Sequence, residues 1–160
     1  MAAPTPAGSV RTPAGIPLPD GHSTTISFAA NASVKFWEKT VTPPGLDGGD
    51  PVETHTMYNT TYRTLAPRTL VTMTEASCTV TYDPAVYDEI VALLNVETTI
   101  TVFFADGSTL AFYGFLRTFT PGECVEGSQP DAAITIQPTN RDVVTPFAEE
   151  GPVMTEVSGT

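Results

Sequence analysis

The chain has 160 residues, with 18 Asp or Glu against seven Lys or Arg and a formal net charge of −11. This length predicts a single domain with one hydrophobic core. The few cations are scattered and form no basic patch, which argues against a protein that binds nucleic acid tightly. Two cysteines are too few for a disulfide framework, and neither a signal peptide nor a membrane-spanning apolar run is apparent. We therefore expect synthesis in a cytoplasm, reduced thiols and no membrane anchor.

Composition divides the chain into three parts. Residues 1–22 contain repeated proline and glycine, which disfavour a helix and predict an extended N-terminal arm. Residues 23–140 predict a mainly β domain with one helix. Residues 141–160 form an acidic, proline-containing C-terminal tail. Segments of this composition cannot build a core alone, so we expect them to gain buried surface from neighbouring chains.

The domain begins with two predicted strands and a long connection. Residues 23–29 alternate, with Ile26 and Phe28 on one face, and residues 34–41 form a second strand. A cluster of proline and glycine then opens an irregular excursion over residues 42–68, with a short strand at 54–58. Connections this long are uncommon unless they are functional or disordered. The excursion carries apolar side chains that a purely solvated loop would not need. We therefore expect it to be mobile in the monomer and to dock on another chain through Met57, Tyr58 and Tyr62.

The middle of the domain predicts a bent strand and a capped helix. Residues 70–82 alternate, and their phase changes near Glu75, which predicts a bulge or bend there. Asp83 and Pro84 are typical of a helix start, and apolar residues then recur at helical spacing. We therefore expect a helix over 84–94 that Asn95 ends in a left-handed conformation.

The last part of the domain predicts a hairpin and a final strand. Residues 97–104 and 109–119 are joined through Asp106 and Gly107, a pair typical of a two-residue type I′ turn. With that turn, Ile100, Val102 and Phe104 share a face with Ala111, Tyr113 and Phe115. The opposite face near the turn is then apolar and needs cover from the helix or a neighbouring chain, which makes candidate intersubunit contacts of Phe103, Leu110 and Phe112. Residues 132–137 form the final strand.

No pattern in the chain predicts catalysis. The two histidines, His22 and His55, lie in or beside irregular segments, and neither cysteine has a histidine near it in sequence. The chain lacks a phosphate-binding glycine loop, a zinc-binding motif and the spacing of a calcium loop. We therefore predict that the protein is not an enzyme and has no catalytic residue, cofactor or metal site.

Small hydroxyl residues occupy alternate positions in several predicted strands, so they share one face of each strand. They include Thr25, Ser27, Ser77, Thr79, Thr81, Thr99, Thr101 and Thr135. One interpretation is an ordinary solvent-facing sheet, because threonine favours strands. The other is a smooth polar surface that holds no polyanion.

The order of these elements resembles the major tail (tail tube) proteins of long-tailed bacteriophages. The likeness spans roughly residues 23–140 and includes the Tyr82-Asp83-Pro84 helix start, the hairpin Ile100-Thr-Val-Phe-Phe-Ala-Asp-Gly-Ser-Thr-Leu110 and the final segment Ile134-Thr-Ile-Gln-Pro-Thr-Asn140. The resemblance implies a β-sandwich or partly open barrel with one short flanking α-helix, a long inter-strand excursion and extended termini.

The same resemblance implies a structural protein of the virion tail. Copies would form hexameric rings that stack into a tube, with other tail proteins at its ends, and DNA would pass through without specific binding. If so, the hydroxyl face would line the bore together with nearby carboxylates, giving the lumen-facing candidates Glu75, Ser77, Thr79, Thr81, Glu97, Thr99 and Thr101.

Two other classes fit the sequence. One is a capsid decoration or tail-tip adhesion module of β-sandwich type, which would not form tubes. The other is a carbohydrate-binding or enzyme-like β-sandwich, which needs several exposed aromatic residues on a concave face. Only Trp37, Tyr58 and Tyr62 are candidates for that role.

Overall fold

The computed structural model describes residues 21–32, 34, 36–144 and 148–156. Most of the predicted N-terminal arm and the last residues of the C-terminal tail lie outside this part of the chain. The strands are β1 (Thr25–Phe28), β2 (Glu38–Thr42), β3 (Leu46–Asp47), β4 (Val52–Glu53), β5 (Leu65–Ala66), β6 (Thr72–Met73), β7 (Ala76–Thr81), β8 (Thr98–Phe103), β9 (Thr109–Pro121), β10 (Asp131–Pro138) and β11 (Val153–Thr155). The helical segments are 3₁₀ turns at Ala29–Asn31 and Pro84–Val86 and one α-helix, α1 (Tyr87–Leu93).

A curled antiparallel sheet of seven strands forms the domain. Its order is β1-β8-β9-β10-β7-β2, and β11 pairs with the first residues of β9. The two edge strands approach each other, where the Ile26 amide donates a hydrogen bond of 3.0 Å to Glu38 Oε1. The sheet is therefore a half-barrel, and the expectation of a mainly β, partly open barrel with one short helix is confirmed.

The core lies on one face of this sheet, under the helix. The alternation predicted for β1, β7 and β10 is confirmed, because every second side chain of these strands is buried. Phe28 and Phe36 pack edge to face with ring centroids 5.7 Å apart. The largest fully buried side chains come from six elements and are Phe28, Val80, Ile90, Ile100, Val102, Leu116, Ile134 and Ile136.

The helical segment has the predicted cap at Asp83, but its first turn is 3₁₀ and it ends at Leu93, one residue before the predicted boundary. The Asp83 side chain accepts a hydrogen bond of 2.9 Å from the Ala85 amide, which caps the 3₁₀ turn that leads into α1. Ile90 and Leu93 are buried against the sheet. Asn95 has a φ of 58°, and its amide donates to the Leu116 carbonyl at 3.0 Å. The predicted left-handed conformation of Asn95 is confirmed, but the helix ends before it, because Leu94 is already extended.

The predicted register of the hairpin is wrong by one residue. The loop between β8 and β9 has three residues, because the Phe104 amide donates to the Ser108 carbonyl and the Gly107 amide donates to the Phe104 carbonyl. Gly107 has a φ of 89°, which gives the left-handed third residue that such loops require. Ile100 therefore pairs with Phe112, and Val102 pairs with Leu110.

This register places Leu110 and Phe112 in the core of their own chain. They are not exposed on the single chain, so the expectation that they contact a neighbouring subunit is wrong. Phe103 alternates to the other face and remains 42% exposed.

Three boundaries also differ from prediction. The second strand begins at Glu38, although Val34 and Phe36 before it are buried in the core. The predicted strand over residues 70–82 divides into β6 and β7, which confirms the interruption near Glu75. Part of the C-terminal tail forms a strand, β11, which pairs with the first residues of β9.

Candidate interaction surfaces

The hydroxyl residues share the sheet face that points away from the core. Register places Ser27 beside Thr101, and Ser77 beside Thr135. Thr79 has Thr40 on one side and Ala133 on the other. We call this surface the polar face. It includes five of the seven lumen-facing candidates, which are Ser77, Thr79, Thr81, Thr99 and Thr101.

The two acidic candidates are bound to arginines. Glu75 precedes β7 and forms an ion pair with Arg117, and Glu97 precedes β8 and forms one with Arg141. Sequence reasoning missed both arginines, because Arg117 lies where the β9–β10 register shifts and Arg141 follows the final predicted strand. The two carboxylates therefore bring no uncompensated negative charge to the polar face.

Tyr113 lies on this face, beside Thr99 in the β8–β9 pair. Desolvation and the adjacent carboxylate of Asp142, which accepts a hydrogen bond from the phenol, raise the pKa of Tyr113, and the charge of Glu150 adds to the effect. Thr99 opposes the shift through its own hydrogen bond. The C-terminal segment is thus anchored to the polar face by polar contacts.

The excursion is a two-stranded hairpin arm rather than an irregular loop. Its base pairs β3 with β6, and its outer part pairs β4 with β5. The strand predicted at residues 54–58 is wrong, because these residues begin the turn at the end of the arm. We call residues 46–73 the hairpin arm and residues 54–64 its tip.

Internal hydrogen bonds give the tip a defined conformation within one chain. The Thr54 amide donates to the Thr64 carbonyl at 2.9 Å, which closes the turn. The Asn59 side chain accepts from the Thr56 amide at 2.8 Å and donates to the Tyr62 carbonyl at 3.0 Å. The tip therefore holds its shape through its own polar groups.

The tip displays three large apolar side chains to solvent. Met57 is fully exposed, Tyr58 is 93% exposed and Tyr62 is 81% exposed. Isolated exposed apolar residues are ordinary, whereas a cluster of this kind marks a contact surface. These three predicted contact candidates are thus exposed and close together in sequence on one turn.

A groove of about 750 Å³ lies at the base of the hairpin arm. One wall is apolar and comes from Leu46 and the segment around β6, and the other comes from the C-terminal segment before β11. We call this the base groove. Its lining residues are Leu46, Leu70, Val71, Thr72, Met73, Thr139, Asn140, Glu149, Glu150, Gly151 and Pro152.

Among residues 21–156, wherever they are described, no three His, Cys, Asp or Glu side chains group to hold a metal ion. Burial, and to a lesser degree the charge of Glu38, raises the pKa of Cys78 to about 12, so its thiol is inert as a nucleophile at neutral pH. His55 lies 3.6 Å from Glu53 on the arm. No helix in the described part of the chain is long and apolar enough to cross a bilayer.

Comparison with solved structures identifies the fold. The chain matches a chain in the six-fold symmetrised cryo-EM structure of the anti-feeding prophage baseplate, with a TM-score of 0.55 and 7% identity over 84% of this chain and 92% of that one. The two chains share a fold. No protein-family model matches the sequence, and no curated protein is similar to it. The neighbour belongs to a phage-tail-related assembly, which is the class of structure that the order of elements resembles.

Proposed function

We propose that the protein is a structural subunit of a phage tail that assembles with copies of itself into stacked, hexameric rings. These rings form the tail tube, through which DNA passes during infection. The observation that carries the proposal is the fold shared with the prophage baseplate chain across most of both chains. Such a subunit is synthesised in the host cytoplasm and resides in the virion, where other tail proteins meet the ends of the tube.

The division of the sheet into two faces supports this function. The core lies on the opposite face of the sheet, so the polar face is available to line a bore wherever the C-terminal segment does not cover it. DNA slides past a wall most easily when the wall offers it no free cation, because each phosphate contact releases counterions and strengthens binding. Arg117, Arg141 and Lys39 each have a carboxylate partner, respectively Glu75, Glu97 and Asp131. The hydroxyl groups and neutralised pairs of this face would hold DNA weakly.

The hairpin arm supports self-assembly. A projecting turn with Met57, Tyr58 and Tyr62 in solvent gains nothing in the single chain and gains apolar burial against a second one. The carbohydrate-binding alternative is less favoured, because Trp37 lies at the opening between β1 and β2 while the two tyrosines lie on the tip. These aromatic residues therefore share no sugar-binding platform.

Electron microscopy of concentrated protein tests the proposal. We expect negative-stain images to show rings or hollow tubes, alone or after nucleation with tail-tip components, and sedimentation to show species far larger than a 16.9 kDa monomer. A protein that stays monomeric in both conditions refutes the proposal. Compact trimers or monomers that bind preformed capsids favour the decoration module.

An armless variant separates folding from assembly. Replacing residues 48–71 by Asn-Gly joins Asp47 directly to Thr72 through a two-residue hairpin turn, because those two residues are partners in the β3–β6 pair. We expect this variant to keep the far-ultraviolet circular dichroism of the sheet and to form no tubes. Tubes of normal appearance from the armless variant would show that the arm has no part in assembly.

A further inference from the structure

We propose that Glu38 blocks the addition of a strand from another chain at the open side of the half-barrel. We call the gap between the edge strands β1 and β2 the seam. The Glu38 carboxylate occupies a backbone amide of β1 across the seam, and it has to be displaced before a strand pairs there. This role belongs to the single chain and goes beyond the proposed function, because it applies to any strand that reaches the seam.

The seam is the place where the sheet is open to strand addition. β1 and β2 stand at the two ends of the strand order, and no backbone pairing joins them in the described part of the chain. Edge strands present unpaired amides and carbonyls, which are a template for a strand of another chain. A groove of about 430 Å³ lies at the seam, between Ile26 of β1 and the Trp37–Glu38 segment. The seam therefore has both the free backbone groups and the space that an added strand needs.

The register of β2 directs the Glu38 side chain towards the core face of the sheet. Glu38 pairs with Val80, and cross-strand partners place their side chains on the same face. Val80 is buried in the core, whereas Glu38 is half-buried at the edge. The Ile26 amide donates a hydrogen bond of 3.0 Å to Glu38 Oε1. Burial, followed by the charge of Glu38, raises the pKa of the Cys78 thiol, which agrees with a carboxylate that points inwards.

A carboxylate in this position opposes strand addition in two ways. The Ile26 amide already has an acceptor, so an incoming strand has to break that hydrogen bond before it forms its own. The displaced carboxylate then loses its donor in a half-buried place, where a charged group without a partner is costly. Inward-pointing charges are a recognised means by which natural sheets prevent pairing at their edges.

Other features of the two edge strands act in the same direction. The register of β2 against β7 shifts between Glu38 and Thr40, which makes Lys39 the extra residue of a bulge. A bulge twists an edge strand away from straight pairing, and an edge lysine adds a charge that an added strand has to accommodate. β1 has only four residues and runs directly into a 3₁₀ turn. Among these features, Glu38 is the one that belongs to β2 and contacts β1.

The simpler interpretation is that Glu38 only holds β1 in place. Its removal would then lower stability without promoting association. Asp83 offers a matched control, because its carboxylate also accepts a hydrogen bond from one backbone amide, that of Ala85, at 2.9 Å. Asp83→Ala therefore removes one charge and one amide hydrogen bond at a helix start, and it leaves both edge strands intact.

The concentration at which the protein associates tests this role. Wild type, Glu38→Ala, Glu38→Gln and Asp83→Ala are compared by sedimentation velocity and light scattering, at a temperature where each keeps the circular dichroism of the folded sheet. We expect Glu38→Ala to associate at a concentration about tenfold lower than wild type, since one hydrogen bond to a charged group no longer opposes pairing. Glu38→Gln, which keeps an acceptor oxygen and loses the charge, should lie between them. Asp83→Ala should associate as the wild type does.

Hydrogen exchange measured by mass spectrometry of overlapping peptides locates the contact. In the Glu38→Ala monomer, the Ile26 amide should exchange faster than in the wild-type monomer, because its acceptor is gone. In the associated Glu38→Ala protein, residues Thr25–Phe28 should exchange more slowly than in the monomer of the same variant, because a strand of another copy pairs with them. Association through unfolded chains would not add protection to this strand.

Three results would overturn the role of Glu38. They are association of Glu38→Ala at the wild-type concentration, equally early association of Asp83→Ala, or an associated Glu38→Ala protein without added protection in β1. If Glu38→Ala does not fold, Glu38→Gln decides the outcome by the same comparisons. Wild-type tubes with no earlier association of the Glu38 variants leave the proposed tail function intact and refute only this role. A wild type that forms no tubes, with a Glu38→Ala variant that forms oligomers protected in β1, does the reverse.

Discussion

Gly114 is the residue whose replacement tests the sheet geometry most directly. Gly114 lies in β9 between two neighbouring strands. It pairs with Thr98 at the start of β8 on one side and with Pro138 at the end of β10 on the other. A Cβ at this position would lie 2.6 Å from the Gln137 carbonyl oxygen and 3.2 Å from Pro138 Cα. Both are backbone atoms of a paired strand, so no flexible side chain can move aside.

Two opposing effects determine the stability of Gly114→Ala. Alanine restricts the unfolded chain and thereby stabilises by about 0.4–1 kcal/mol, whereas forcing an extra carbon into a packed site costs about 1–3 kcal/mol. The steric clash outweighs the loss of unfolded-chain entropy, and we expect a net loss of about 1–2 kcal/mol in the free energy of unfolding. With a urea dependence of about 2 kcal/mol per molar, the unfolding midpoint should fall by roughly 0.5–1 M.

Gly48→Ala is the matched control for this measurement. Nothing lies within 4 Å of the position where its Cβ would be, so only the restriction of the unfolded chain acts, and stability should stay level or rise slightly. Urea unfolding followed by far-ultraviolet circular dichroism compares the two variants with the wild type. If Gly114→Ala is as stable as Gly48→Ala, the close approach of β10 to β9 is incorrect.

Single contacts elsewhere in the chain give three more predictions. Asp83→Ala should lower the free energy of unfolding by about 0.5–2 kcal/mol, because the Ala85 amide loses its acceptor. Asp83→Asn should retain most of the wild-type stability, because asparagine also caps helices. Equal losses in thermal unfolding of the two variants would contradict the cap. A thiol reagent at pH 7 should label Cys124 quickly and Cys78 only after denaturant is added, and mass spectrometry of the labelled peptides would detect any early reaction of the buried thiol. Thr79→Lys should change the free energy of unfolding by no more than about 0.5 kcal/mol and should make assembled tubes retain duplex DNA at low salt. If the variant retains no more DNA than the wild type, the polar face does not line the bore.

The sequence predicted strands well where burial follows a period of two. Ile26 and Phe28, or Cys78 and Val80, alternate with hydroxyl residues because one face of each strand meets the core and the other meets solvent. Alternation of this kind defines both the core and the polar face without knowledge of which strands are neighbours. The capped helix after Asp83 was similarly predictable, because its signals are local.

What the sequence did not reveal depends on small choices between similar geometries. Asp106 and Gly107 fit a two-residue or a three-residue turn, and the choice moves Leu110 from one face to the other. The partner of Glu75 was hidden because the bulge in β9 directs Arg117 outwards, and a bulge leaves no mark on the hydrophobic pattern. The strands of the hairpin arm and β11 have two or three residues each, which is too short for any period to be recognised.

The pairing order of the strands has a consequence for how the protein is made. β1 pairs with β8, which is synthesised about 75 residues later. At typical rates of translation, the ribosome needs about 4–15 s to synthesise this stretch. The two strands of the hairpin arm are separated by far fewer residues, so the arm can form on the ribosome well before the sheet closes. One wall of the base groove, by contrast, comes from residues 149–152, which emerge after every strand of the core. A nascent chain therefore carries a complete and exposed hairpin arm while the sheet that supports the arm is still forming.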